Sequence, residues 1–380
     1  MCRTRFDIAD IARMHRMALE AVQPLTSAQG RVLTAITLCR TAALGGHWNV
    51  CLTCGYEEDP SYNSCRNRHC PKCQALAQER WIAKRAKAIL PIPHFHGVFT
   101  LPEDLRSLAR QYPKEVFDAL FHSVTAALLD LGRSRLGVTL GLTLILHTWT
   151  RELLYHLHIH VLITAGGLLL DGSGFKQVRR KVLLHPKPLA KRFKKKMMDA
   201  LRGLRKKGAF TMTDGAFNTL MASIACQDWH VYLKQTFHRP EKTLQYLGRY
   251  THRVGIANSR LLDVTDQQVT FRTKDGRKVT VTPVEFLRRF VQHVLPDRFK
   301  KIRHAGLYAS PKALAQAKTY FESLPEPAEP EPTWEEALLK LTGKDVRLCP
   351  VCGSTLHRKV IHPELASSRR SRRPIPRSPP

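Results

Sequence analysis

The chain has 380 residues, and its 61 Lys and Arg against 31 Asp and Glu leave a net charge of +30 and a pI near 10.1, an excess that points to a polyanionic partner. No apolar run reaches membrane-spanning length, and the charge-broken N-terminus "MCRTRFDIADIARMHRMAL" lacks the hydrophobic core of a signal peptide. A cytoplasmic protein with no membrane partner is expected, and ten cysteines in that reducing compartment call for metal rather than disulfides.

The length exceeds that of a typical single domain, so one main domain with smaller appendages is expected. Residues 1–46 read as a helical segment. Ile8, Ile11, Met14 and Ala18 share one face, and a second run, "AQGRVLTAITLCRTAAL", ends at Gly45 and Gly46. Residues 47–80 carry Cys51-x-x-Cys54-Gly and, after 15 intervening residues, Cys70-Pro-x-Cys73. Two such knuckles predict a ribbon closed by a structural Zn²⁺ on Cys51, Cys54, Cys70 and Cys73. His47, Cys65 and His69 are candidates for a second ion in the same segment.

The main domain is placed at 81–310. A helix, "ALAQERWIAKRAKAIL", is stopped by Pro91, and "PHFHGVFTLP" reads as a strand stopped by Pro102. After a helical region at 103–132 come two apolar strands, "LGVTLGLTLILHTW" and "LHIHVLITAGGLL", joined by "TRELLYH", for which antiparallel pairing is simplest. "KPLAKRFKKKMMDALRGLRKKG" is an amphipathic basic helix with Leu189, Phe193, Met197, Leu201 and Leu204 on one face. A strand at "WHVYLKQTF", a helix opened by Pro240, a hairpin turning at Asp275-Gly276 and a helix "PVEFLRRFVQHVL" complete it.

Residues 311–345 form a Pro/Glu linker and a short helix with a capping box at Thr333-x-x-Glu336. Residues 346–380 hold Cys349-Pro-Val-Cys352-Gly, half of another ribbon that His357 or His362 could complete or that stands empty, followed by a basic tail expected to be disordered.

Three groups of residues carry the chemistry. His156, His158 and His160 alternate along one strand, so their imidazoles stand in a row on one face. His147, on the preceding strand, could come across from them and make a His147, His158, His160 metal cluster. A second such pair, His94 and His96, competes with that reading, because 18 histidines produce chance patterns. Tyr246 and Tyr250 sit four apart on a predicted helix, where paired phenols are more often packing than catalysis. Arg249, Arg253 and Arg260 nearby are suited to holding phosphates of DNA.

Taken together, "YNSCRNRHCPKCQ", "HLHIHVLITAGGL", "YLGRYTHRVGIANSRL", "FLRRFVQHVLP" and "KIRHAGL" resemble the two-tyrosine rolling-circle transposases of bacterial insertion sequences, in the HUH endonuclease superfamily. The likeness runs from about residue 25 to 310. It implies an α+β fold with a central antiparallel sheet beside the tyrosine helix, and a metal-dependent nuclease that keeps a 5′-phosphotyrosine link to single-stranded DNA. The HUH motif falls on His158-Ile159-His160 and the nucleophiles on Tyr246 and Tyr250, while His94 and His96 take a structural role. An all-imidazole site favours Mn²⁺ and binds Mg²⁺ weakly. Stored phosphotyrosine bond energy makes ATP unnecessary, and no phosphate-binding loop occurs. DNA hairpins at insertion-sequence ends are the expected partner. A replication initiator or relaxase with the same chemistry, or a zinc-dependent DNA-binding protein without activity, are the alternatives.

Overall fold

A computed structural model of the chain describes residues 6–86, 88–178, 182–235, 248, 255–321, 333, 335–336, 338–339, 343 and 345–363. The order is α1 (Ile8–Val22), α2 (Ser27–Leu38), β1 (Gly46–Val50), β2 (Ser61–Tyr62), α3 (Gln74–Ala86), β3 (His94–Thr100), α4 (Leu105–Gln111) and α5 (Pro113–Leu131). Then follow β4 (Val138–Trp149), β5 (Tyr155–Leu169), β6 (Phe175–Gln177), α6 (Pro186–Lys206), α7 (Asp214–Cys226) and β7 (Val231–Gln235). The remaining elements are β8 (Leu261–Val264), β9 (Val269–Arg272), β10 (Lys278–Val281), α8 (Pro283–Val291), β11 (Ile302–Gly306), α9 (Pro311–Lys318) and β12 (His357–Ile361). The class is α+β with antiparallel sheets, and no described helix is long and apolar enough to cross a membrane.

The central sheet has the order β11-β4-β5-β3-β7, with β6 added to the end of β5, and every pairing is antiparallel. Alternation along the strands assigns each face. Phe95, Phe99, Leu144, Leu146, Leu157, Ile159, Val161 and Ile163 belong to the main core with Val116, Leu120 and Val124 of α5 and Leu189, Phe193 and Met197 of α6. Each such side chain contributes about 1.5–3 kcal/mol by leaving water. Phe99 and Phe193 meet edge to face at 5.3 Å, which seats α6 on this side of the sheet. The residues between them in sequence, Ile145, His147, His158, His160, Leu162, His94 and His96, face the other way, where Ile145 and Leu162 pack with Trp81 of α3 and Ile89.

The N-terminal helices form part of a second core. Ile8, Ile11, Leu19, Leu33 and Ile36 pack with Phe271 of β9 and with Phe286, Leu287 and Phe290 of α8. Asp7 caps α1 through Ala9 N–H, and Thr26 and Gln29 form a reciprocal capping box on α2. Met14 and Ala18, expected on the buried face of α1 with Ile8 and Ile11, are exposed, and Ala9, Ala12 and Leu19 are buried instead. The capping box expected at Thr333 and Glu336 is present in both directions.

Besides the central sheet and a small β10-β9-β8 sheet, a third sheet reaches across the chain. Strand β1 lies between β2 and β12, paired with β12 over five residues from Gly46↔Ile361 to Val50↔His357. The C-terminal knuckle is therefore built onto the N-terminal ribbon. Apart from Gly248, the helix expected from Pro240 lies outside the described residues, as does the basic tail.

Candidate functional site

Hairpin geometry brings the histidines together. His147 of β4 is directly paired with His158 of β5, and His160 lies two residues further along the same face. One ring nitrogen from each of His147, His158 and His160 falls within 4.8 Å of the others, the geometry a single ion needs. His147 and His160 are buried and His158 is half-buried. His156, the first of the row, does not join the cluster.

The ring orientations are set from outside. His158 Nδ1 lies 3.1 Å from the His156 carbonyl, so Nδ1–H donates there and Nε2 stays available for a ligand bond. His160 Nδ1 lies 2.8 Å from Nε2 of His96, diagonally placed on β3. With an ion on His160 Nε2, its Nδ1–H donates to His96. His147 stacks on Trp149 at 4.5 Å between ring centroids. Burial is the main reason His158 and His96 are each lowered to about 4, and burial reinforced by His158, His96 and Lys274 holds His160 well below the usual range. These three are neutral at pH 7, as metal ligation or its support requires.

His94 has a different duty. It is buried with Nδ1 at 2.8 Å from the Ile92 carbonyl and Nε2 at 2.7 Å from the Tyr308 hydroxyl, both packing roles. His96, expected to be structural, also touches a candidate ligand, a contact the sequence reading did not include. The clue was its position on a strand that pairs with the one bearing His160.

Tyr246, Tyr250, Arg249 and Arg253 lie outside the described residues. Gly248, midway between the tyrosines in sequence, is described: a Cβ on it would lie 2.4 Å from Ile82 Cδ1, so the backbone there lies against α3. Through Trp81, that same helix packs on the histidine-bearing face of the sheet. Arg260, expected to hold phosphate, donates from Nη2 to the Arg151 carbonyl at 2.8 Å and from Nε to the Arg272 carbonyl at 2.5 Å. Those donors serve the fold.

The basic helix α6 is where the sequence put it, but on the side of the sheet away from the histidines. Part of its charge is balanced: Arg192 and Lys196 face Asp130, Lys195 and Arg202 face Asp199, and Arg205 faces Asp214.

The cysteines regroup. The expected set Cys51, Cys54, Cys70 and Cys73 is divided between two clusters, Cys39 with Cys65, Cys70 and Cys73, and Cys51 with Cys54, Cys349 and Cys352. The physical reason is that β1 carries the first knuckle toward β12, while Cys39, just past α2, and Cys65 close on the second. Sulfur contacts of 3.3 Å for Cys39 to Cys73 and 3.6 Å for Cys65 to Cys73, and an N–H from Cys65 to Cys39 Sγ at 3.5 Å, suit a structural zinc tetrad. His47 is a ribbon strand residue, and buried His69 accepts from Leu295 N–H at 3.2 Å; neither joins a cluster.

Comparison with known proteins agrees with this layout. A family model described as "Putative transposase" matches residues 141–315, and one described as "Transposase zinc-binding domain" matches 11–101. The "Putative transposase y4qJ" of Sinorhizobium fredii is 37% identical over 375 residues, covering 93% of this chain and 94% of that protein. The "Transposase for insertion sequence element IS801" of Pseudomonas savastanoi pv. phaseolicola is 30% identical over 346 residues, covering 85% and 82%. No solved structure matches.

Proposed function

Since the chain belongs to the insertion-sequence transposases that carry a zinc-binding domain, we propose that it cuts and rejoins single-stranded DNA through phosphotyrosine links, in a rolling-circle transposition. Tyr246 and Tyr250 are the nucleophiles, and His147, His158 and His160 hold a divalent ion. The observation that carries this reading is the convergence of those three imidazoles, two of them buried, with two of the rings oriented by outside partners.

The donor set fits a transition-metal ion, Mn²⁺ better than Mg²⁺. When bound, that ion would polarise the scissile phosphate and offset its charge. The protein's residues do the rest. His156 and His96 keep the ligand rings in the metal-binding tautomer. One tyrosine oxygen attacks phosphorus, the 3′ oxygen leaves with a proton, and the 5′ phosphate remains esterified to the phenol. A second phenol lets a second strand be cut while the first ester persists, and attack by a free 3′ hydroxyl on either ester restores a phosphodiester without ATP. The net positive charge of +30 supplies the attraction for the strand.

Phenylalanine keeps each ring and removes the hydroxyl, so Tyr246→Phe and Tyr250→Phe test the assignment. On a single strand labelled 3′ of the cut, wild type with Mn²⁺ is expected to give a protein-sized band resistant to heat and detergent. The double variant is expected to give none, and each single variant to cut once but transfer poorly. A band that persists in the double variant places the nucleophile elsewhere.

A further inference from the structure

The second cysteine cluster lies partly beyond both family matches, which end at 101 and 315. Its two halves are 295 residues apart in sequence, counting from Cys54 to Cys349, yet they have the same local structure. In the first, Cys51 N–H donates to the Tyr56 carbonyl at 2.8 Å and Gly55 N–H to the Cys51 carbonyl at 3.0 Å. In the second, Cys349 N–H donates to the Ser354 carbonyl at 2.8 Å and Gly353 N–H to the Cys349 carbonyl at 2.9 Å. Gly55 and Gly353 both have φ of 74°, the left-handed turn that lets a knuckle present two thiols to one point. A single bridge closes each, Val50↔Glu57 and Leu348↔Thr355.

The halves face each other. Cys51 Sγ lies 3.5 Å from Cys352 Sγ, and Cys54 Sγ 3.6 Å from Cys349 Sγ, with all four sulfurs within 4.8 Å. A tetrahedral Zn–S₄ centre with bonds of about 2.3 Å sets neighbouring sulfurs roughly 3.8 Å apart. Val351 N–H points at Cys349 Sγ from 3.4 Å, a donor that stabilises thiolate charge.

Apolar packing offers little to hold the joint. Four of the five residues of β12 are exposed, including Val360 at 62%. Backbone bonds to β1 and Lys359 placed 5.9 Å from the Trp48 ring remain, and neither gives an isolated edge strand much stability.

We propose that Cys51, Cys54, Cys349 and Cys352 bind a second structural zinc, and that this ion fastens the C-terminal segment 346–362 to the N-terminal ribbon as one module. The inference is independent of the strand-cleavage chemistry.

Metal analysis of the full-length protein carrying His158→Ala and His160→Ala, which removes the histidine cluster from the count, and purified with a thiol reductant, is expected to give two zinc ions per chain, and the same protein with C349S/C352S added one. A protease site inserted between residues 325 and 330 reads the same joint without removing a ligand. After cutting, the C-terminal fragment should stay bound through a sizing column and be released by a zinc chelator. With the histidine cluster removed, one zinc per chain before C349S/C352S is added or two after it, release on cutting with zinc still present, or release by reductant alone would each overturn the proposal.

Discussion

Nε2 of His96 sits 2.8 Å from Nδ1 of His160, with the two rings nearly parallel, at 8°. The acceptor that fixes the tautomer of a candidate ligand is thus another buried histidine, on the neighbouring strand. Removing such a partner typically weakens metal affinity about 10–100-fold. His96→Ala should raise the Mn²⁺ concentration needed for half-maximal cleavage by about that factor, with the rate at saturating metal much less affected. His96→Gln, which can still accept, should recover part of the loss. A His96→Ala variant with an unchanged metal titration would return His96 to a packing role.

The ligands themselves should behave more severely. His158→Ala or His160→Ala is expected to abolish cleavage while single-strand affinity stays within a few fold, because the Lys and Arg surface carries binding. His147→Ala should match them. Gel-shift and cleavage assays on the same preparations make the comparison, and full activity in His160→Ala would dismiss the triad.

Cys39 and Cys70 are buried within the second core, beside the α1, α2 and α8 side chains. Losing the zinc of the Cys39, Cys65, Cys70 and Cys73 tetrad should therefore loosen that core as well as the ribbon. Cys73→Ser is expected to lower Tm by several degrees or more and expose α1 to proteolysis. An unchanged melting curve together with full zinc content would contradict the tetrad.

Acid should destabilise the fold in a defined window. His94 and His293 are fully buried, and burial lowers both to about 4. The unfolded chain protonates them near pH 6.5, so between about 6.5 and 4 it binds more protons than the folded one, and stability falls as pH drops. The loss is at most roughly 3.5 kcal/mol each over the whole interval, and less by pH 5. Urea midpoints should decline from pH 7 to 5, and His293→Gln should flatten the decline. A wild-type midpoint independent of pH over that range would rule this out.

The sheet was legible in the sequence because its information is local. Alternation along "HLHIHVLI" and a short connection back to "LILHTW" are enough to predict which histidines share a face, and β4 and β5 pair accordingly. The cysteine grouping was not legible, because a metal selects ligands in space. Two C-x-x-C pairs separated by 15 residues made Cys51, Cys54, Cys70 and Cys73 look like one site, while Cys39 stands outside any C-x-x-C pair and carries no such signal. Only the β1 and β12 pairing, some three hundred residues apart, reassigns them. The side of the sheet taken by α6 was equally hidden: its apolar stripe says that it packs, and the burial of Phe99 against Phe193 says where.

The pairing of Gly46↔Ile361 and Val50↔His357 also orders events during synthesis. Strand β1 leaves the ribosome well ahead of β12, which follows about three hundred residues later, at about 5–20 residues per second a wait of roughly 15–60 s. Throughout that interval one edge of β1 is open, and the nascent N-terminal module stays unfinished while the sheet behind it is being made. The ribbon is thus begun before the central sheet and completed after it. Any product that stops short of residue 346 lacks both β12 and the second knuckle, so the fold itself distinguishes a chain that reaches β12 from one cut off before it.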